Sequence, residues 1–139
     1  MRILLVEDND ADRRAIQEAF LANGCSTALT IVEDGDKALQ YIFHQGEYAA
    51  AETPDLILLD LNLPGTHGME VLRRVKGDPA TRNIPVIVLT SSAFQKDICD
   101  AYGLSANCYI NKPMRFSELV SLVKTFCDFW VKEVRYCYK

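Results

Sequence analysis

Asp55-Leu56-Ile57-Leu58-Leu59-Asp60 decides the fold class. Four consecutive apolar residues between two carboxylates leave no polar face for water. The segment therefore reads as a strand covered on both sides, the habit of a central parallel strand. Pro85-Val86-Ile87-Val88-Leu89-Thr90 is equally apolar, and shorter runs stand at Ile3–Val6 and Cys108–Ile110. Thr27 to Val32 carries more hydroxyls and reads as a peripheral strand. Segments of helical period separate these runs. One follows the capping residue Asn9 and stops at Asn23-Gly24, and others span Gly35 to about Gln45, Met69 to Gly77, and Gln95 to Tyr102. A last helix is predicted from Phe116 to beyond Trp130, about 115–135. The order βαβαβαβαβα implies an α/β fold, a five-stranded doubly wound parallel sheet with helices on both faces.

Composition narrows the function. The 139 residues fit one domain, expected to span 1–139 with no output domain. Lys plus Arg is 15 against 19 for Asp plus Glu, a net charge of −4, so neither a nucleic-acid arm nor a basic membrane helix is expected. The five cysteines (Cys25, Cys99, Cys108, Cys127, Cys137) are scattered and lack CxxC spacing. Met1-Arg2 runs straight into an apolar segment, so no signal peptide is expected. Reduced thiols in a cytoplasmic protein are the expectation. With only His44 and His67, a zinc site is not expected.

Open α/β sheets bind ligands outside the carboxyl ends of their strands. Glu7 and Asp8 follow the first strand, Asp60 the third, Thr90 the fourth, and Lys112 the fifth. In the strand order 2-1-3-4-5, common for small doubly wound domains, these residues converge on one rim. Each alone has a plain reading as a turn, loop or surface residue; together they form a constellation. Clustered carboxylates repel unless a cation sits among them. Oxygen ligands without Cys or His suit Mg²⁺. Glu7-Asp8-Asn9-Asp10 is the opposite of a glycine-rich phosphate loop, so phosphate would arrive through the metal, helped by Thr90 and Lys112. Asp60 would then be the nucleophile of an acyl phosphate.

Val6-Glu7-Asp8-Asn9, Leu58-Leu59-Asp60-Leu61-Asn62-Leu63-Pro64, Gly68, Leu89-Thr90-Ser91 and Tyr109-Ile110-Asn111-Lys112-Pro113 make an ordered set. With them the chain resembles the receiver domain of two-component response regulators over nearly its whole length. The resemblance implies a flavodoxin-like fold and phosphoryl transfer to Asp60 from a phosphohistidine of a sensor kinase. It implies Mg²⁺ on Asp8 and Asp60, with Glu7 acting through water and the Asn62 backbone carbonyl completing the ligands. Thr90 and Lys112 would hold phosphoryl oxygens, and the Lys112–Pro113 bond would be cis. Thr90 and Tyr109 would form the switch, Tyr109 turning inward as Thr90 moves; a surface aromatic is the plainer alternative. Two departures stand out. Glu7 replaces the commoner aspartate, and Leu104-Ser105-Ala106 lacks the glycine-alanine pair frequent before the fifth strand.

On a helical wheel Phe116, Leu119, Val120, Val123, Cys127, Trp130 and Val134 form the expected core stripe of the last helix. Leu122, Phe126 and Phe129 widen it into a shoulder, read either as tucked under a loop or as a homodimer interface. Phe129-Trp130, the segment from Gly46 to Pro54 and the run Asn107–Ile110 are similar to single-domain regulators that partner bacterial and cyanobacterial phytochromes. Two rivals remain: an Mg²⁺-dependent aspartyl-phosphate phosphatase and an inert interaction module. Such phosphatases carry an acid/base Asp two residues after the nucleophile, where this chain has Asn62.

Overall fold

The structure, a computed structural model, describes residues 1–138; Lys139, the end of the expected domain, lies outside them. Five strands, β1 (Arg2–Val6), β2 (Ala28–Val32), β3 (Leu56–Leu59), β4 (Val86–Thr90) and β5 (Cys108–Asn111), form one sheet. All pairs are parallel and the order is β2-β1-β3-β4-β5. The flavodoxin-like arrangement expected from the sequence is therefore present. Its helices are α1 (Asp10–Ala22), α2 (Gly35–Ile42), α3 (Gly68–Gly77), α4 (Gln95–Gly103) and α5 (Phe116–Phe126), and a 3₁₀ turn spans Gly46–Tyr48.

Strand alternation splits the core in two. Leu4, Val6, Ile57, Leu59, Val86 and Val88 face α2 and α3 through Ala38, Leu39, Ile42, Val71, Leu72 and Val75. Ile3, Leu5, Leu56, Leu58, Ile87 and Leu89 face α1 and α5 through Ile16, Phe20, Leu119 and Val123. All four residues of β3 are buried, and each such Leu or Ile contributes on the order of 1.5–3 kcal/mol of burial free energy. β2 at the edge keeps alternate residues exposed, as its hydroxyls foretell.

Helix starts follow local chemistry. Asn9 caps α1 by accepting from the Asp12 amide, and Asp34 caps α2 by accepting from that of Lys37. At the start of α3 a Cβ on Gly68 would lie 2.5 Å from the Asp60 carbonyl oxygen. Only glycine lets this helix press against the loop that leaves β3.

Three expectations need correction. First, α5 ends at Phe126, a wide π-type turn covers Cys127–Val131, and residues 132–138 have no regular structure, so the helix does not reach 135. The core stripe shifts accordingly. Phe126 is buried at 7% exposure edge-on to Phe20, ring centroids 5.8 Å apart, whereas Phe116 is 47% exposed. The packing of α1 along α5 decides that rotation.

Second, Cys25 and Cys127 form a disulfide across 102 residues, so not all five thiols are free. Cys25 lies in the turn after α1 and Cys127 just past α5. The packing of these helices brings their Cα atoms to 6.3 Å, within disulfide range. Cys99, Cys108 and Cys137 remain free. Third, the Lys112–Pro113 bond is trans, the form that an X–Pro amide prefers by about 0.5–1 kcal/mol. Lys112 needs no cis bond to enter the rim, because its amide pairs with the Thr90 carbonyl at 2.9 Å.

Ser105 stands in the left-handed region (φ 70°) in the loop where the glycine is missing. Ser105→Gly is expected to raise stability by about 0.5–1 kcal/mol, seen as a higher urea midpoint at unchanged slope. Thiol titration of the oxidised chain in denaturant should count three reactive cysteines, and five after reduction.

Candidate functional site

Parallel pairing carries the carboxyl ends of β1, β3, β4 and β5 to one rim. There Glu7, Asp8 and Asp60 each offer an oxygen within 4.8 Å of the others. Glu7 is 1% and Asp60 5% exposed, while Asp8 faces solvent. The Asp60 amide donates to the Val6 carbonyl (3.1 Å) and that of Glu7 to the Val32 carbonyl (3.1 Å), so neighbouring strands fix both backbones. Arg13 folds back from α1 and donates to the Glu7 and Asp8 carbonyls at 3.2 and 2.7 Å.

Asp60 has a different neighbour on each oxygen. Oδ1 accepts from Thr90 Oγ1 at 2.8 Å and from the Asn62 amide at 3.2 Å; Oδ2 accepts from Lys112 Nζ at 2.8 Å. Lys112 also pairs with Asp12 at 2.9 Å and contacts Glu7 Oε1. Burial alone would raise the Asp60 pKa, but the hydrogen bonds from Lys112 and Thr90 outweigh it and hold the carboxyl below its usual range. Burial likewise opposes the Lys112 charge, and its carboxylates prevail, raising its pKa. Glu7 goes the other way. Burial is the largest influence, Asp60 adds repulsion, and its pKa is pushed up to about 7.

All the residues expected at the rim are there. Glu7, Asp8, Asp60, Thr90 and Lys112 converge, and Asn62 reaches Asp60 through its amide. Tyr109 is half-buried rather than a plain surface aromatic. Its hydroxyl donates to the Ser92 carbonyl at 2.8 Å, and burial raises its pKa. Of the shoulder, Phe126 belongs to the core, Leu122 is half-buried and Phe129 is 54% exposed. Sequence reasoning missed Asp12, Arg13 and Asn111, whose side-chain amide donates to the Ser92 carbonyl at 2.6 Å. Asn111 stood inside a quoted motif without a role, whereas nothing local marks Asp12 as the partner of a lysine 100 residues away.

The chemistry of the donor set fits a hard divalent cation. Three carboxylates converge, and Glu7 Oε1 is buried without a hydrogen bond of acceptable geometry despite its ion-pair contact. Glu7, Asp8 and Asp60 are the residues that could hold such an ion.

Residues 3–124 match the response regulator receiver domain model. The chain belongs to that family and is a two-component response regulator. Rcp1 of Synechocystis sp. is 42% identical over 95% of this chain and 90% of its own. The solved structure of Mn²⁺-bound Rcp1 superposes with a TM-score of 0.93 at 40% identity, covering 99% of both chains. The phosphorylated cyanobacterial phytochrome response regulator RcpA gives 0.94 at 45% identity, over 99% of this chain and 98% of that one. The chain is thus close in sequence and structure to phytochrome response regulators.

The two carboxyls have opposite pH signatures. The Asp60 pairing contributes stability above its ordinary pKa of 3.8 and loses it as pH falls through the lower folded value. Glu7 binds its proton more tightly in the folded chain. The Glu7 contribution to stability therefore falls as pH rises from about 4.5 to about 7 and is level outside that window. Without divalent metal, Glu7→Gln should remove this decline and make the chain more stable at pH 8 by about 1 kcal/mol or more. Urea unfolding at pH 4.5, 6 and 8 measures it.

Proposed function

We propose that Asp60 accepts a phosphoryl group from a phosphohistidine of a sensor kinase, one of the phytochrome class, in an Mg²⁺-dependent transfer. The observation that carries this reading is the pair of hydrogen bonds on Asp60, from Thr90 on one oxygen and Lys112 on the other, beside two further carboxylates. The carboxylate forms a P–O bond as the donor's P–N bond breaks, and the electron pair leaves on the imidazole. Transfer of this kind calls for placement and charge stabilisation. Lys112 supplies a point charge to the phosphoryl oxygens, and Thr90 re-aims its hydroxyl from Asp60 to one of them. A divalent cation would be held by Asp8, Asp60 and the Asn62 carbonyl, with Glu7 reaching it through water, and would supply further charge neutralisation.

Release follows from the same contacts. When Thr90 shifts its hydrogen bond, the adjoining segment through Ser92 shifts with it, and Tyr109, bound to the Ser92 carbonyl, follows. The output is association with other proteins, including a second copy through Phe129 and Leu122, in the cytoplasm. Neither nucleic acid nor membrane enters this reading, and no helix among the described residues is long and apolar enough to cross a bilayer. Asn62 in place of an acid/base Asp makes the domain a phosphoacceptor that assists its own phosphorylation and dephosphorylation, not a turnover phosphatase.

Incubation with an acyl-phosphate donor and Mg²⁺ should add one phosphoryl mass, removed by Asp60→Asn and slowed at least 10-fold by chelator. Steady phosphate release over many turnovers would indicate a phosphatase, and absence of labelling a binding module. Light scattering of labelled and unlabelled chain at micromolar concentration reads the dimer; a monomer in both states counts against it.

A further inference from the structure

An ammonium has three N–H donors, and Lys112 faces three carboxylates. Asp60 Oδ2 at 2.8 Å and Asp12 Oδ2 at 2.9 Å accept hydrogen bonds from it, and Glu7 Oε1 makes a charge contact without one. The three are not equivalent. Glu7 and Asp60 are buried, so losing the lysine would strand a charge away from water. Asp12 stands in the first turn of α1 with its side chain 44% exposed, and water can replace the lysine there at small cost. A phosphoryl group arriving on Asp60 needs an N–H from this same nitrogen. Asp12 is the partner that can yield it.

We propose that Asp12 is a positioning residue: it keeps one N–H of Lys112 turned away from the incoming phosphoryl group and cedes it on transfer. Its charge restrains phosphoryl uptake until then. The inference rests on the phosphoacceptor reading of Asp60. The surroundings of Asp12 support it. Its amide is held by the Asn9 side chain, which fixes the start of α1. Neighbouring Arg13 does not neutralise it, because that guanidinium is turned to the Glu7 and Asp8 carbonyls and to Asp10. Lys112 is the cation paired with Asp12 among the described residues. Its negative charge therefore sits one ammonium away from the oxygen that attacks an anionic donor, and repulsion over that span is felt through only partly screening surroundings.

An acid in the first turn of a helix also favours the helix dipole, a role that touches stability alone. Rates separate the two. Initial labelling by an acyl-phosphate donor with saturating Mg²⁺ is followed by intact mass for the whole chain, Asp12→Asn, Asp12→Glu and the exposed α1 control Glu18→Gln. Asp12→Asn should label about three- to tenfold faster at low ionic strength, with the gain shrinking in high salt. Asp12→Glu should return to within about twofold of the original chain, and Glu18→Gln should not change, although it removes the same charge. Thermal midpoints verify that all variants fold. Asp12→Asn labelling at the original rate, or more slowly, overturns the proposal while leaving the Asp60 reading intact. A failure of the unaltered chain to label overturns both.

Discussion

Everything at the rim depends on β3 being covered on both faces. A strand with no polar face must sit inside the sheet, with a layer of helices on each side. Layers on both sides require crossover connections, and crossovers make the strands parallel. Parallel strands point their carboxyl ends the same way, so the residues following β1, β3, β4 and β5 meet at one edge. The acidic cluster is thus a consequence of four apolar side chains. Gly68 completes the constraint, since α3 approaches the Asp60 backbone so closely that any side chain there would push the loop away.

Lys112 then decides what the cluster is electrically. One ammonium cannot serve three carboxylates equally. Asp60 gains the lysine and a threonine hydroxyl and stays below the ordinary carboxylate range; Glu7, more deeply buried, rises to about 7. Two acids a few ångströms apart therefore differ in character. Asp60 is a ready anion at physiological pH, the state that a nucleophile needs. Burial and the neighbouring Asp60 make Glu7 hold its proton more tightly, and a cation bound there would draw that proton out.

What the sequence disclosed and what it withheld divide along a physical line. β3 and β4 were legible because double burial writes an unbroken apolar run. Asp60 and Thr90 were legible because each stands at the carboxyl end of such a run, and Lys112 because it lies just past the shorter β5; strand direction does the rest. The rotation of α5 about its own axis was not legible. Whether Phe126 points inward depends on the edge of Phe20, more than a hundred residues away. The pairing of Cys25 with Cys127 and of Asp12 with Lys112 has the same origin, a helix-to-helix or helix-to-strand placement that local pattern does not encode. The trans Lys112–Pro113 bond shows the converse. The family resemblance favoured cis, yet pairing with β4 alone delivers the lysine to the rim.

The Ser92 carbonyl accepts from both the Tyr109 hydroxyl and the Asn111 side-chain amide. A carbonyl oxygen has two lone pairs, so this acceptor is full. Both donors come from β5, one residue apart on either side of Ile110, and grip the loop leading to α4 like two fingers on one peg. Such a grip is indifferent to small rattling of either side chain, since the second contact keeps the first in register. A displacement of that one carbonyl therefore reaches two β5 side chains at once, so the loop after β4 and the end of β5 share a single mechanical joint.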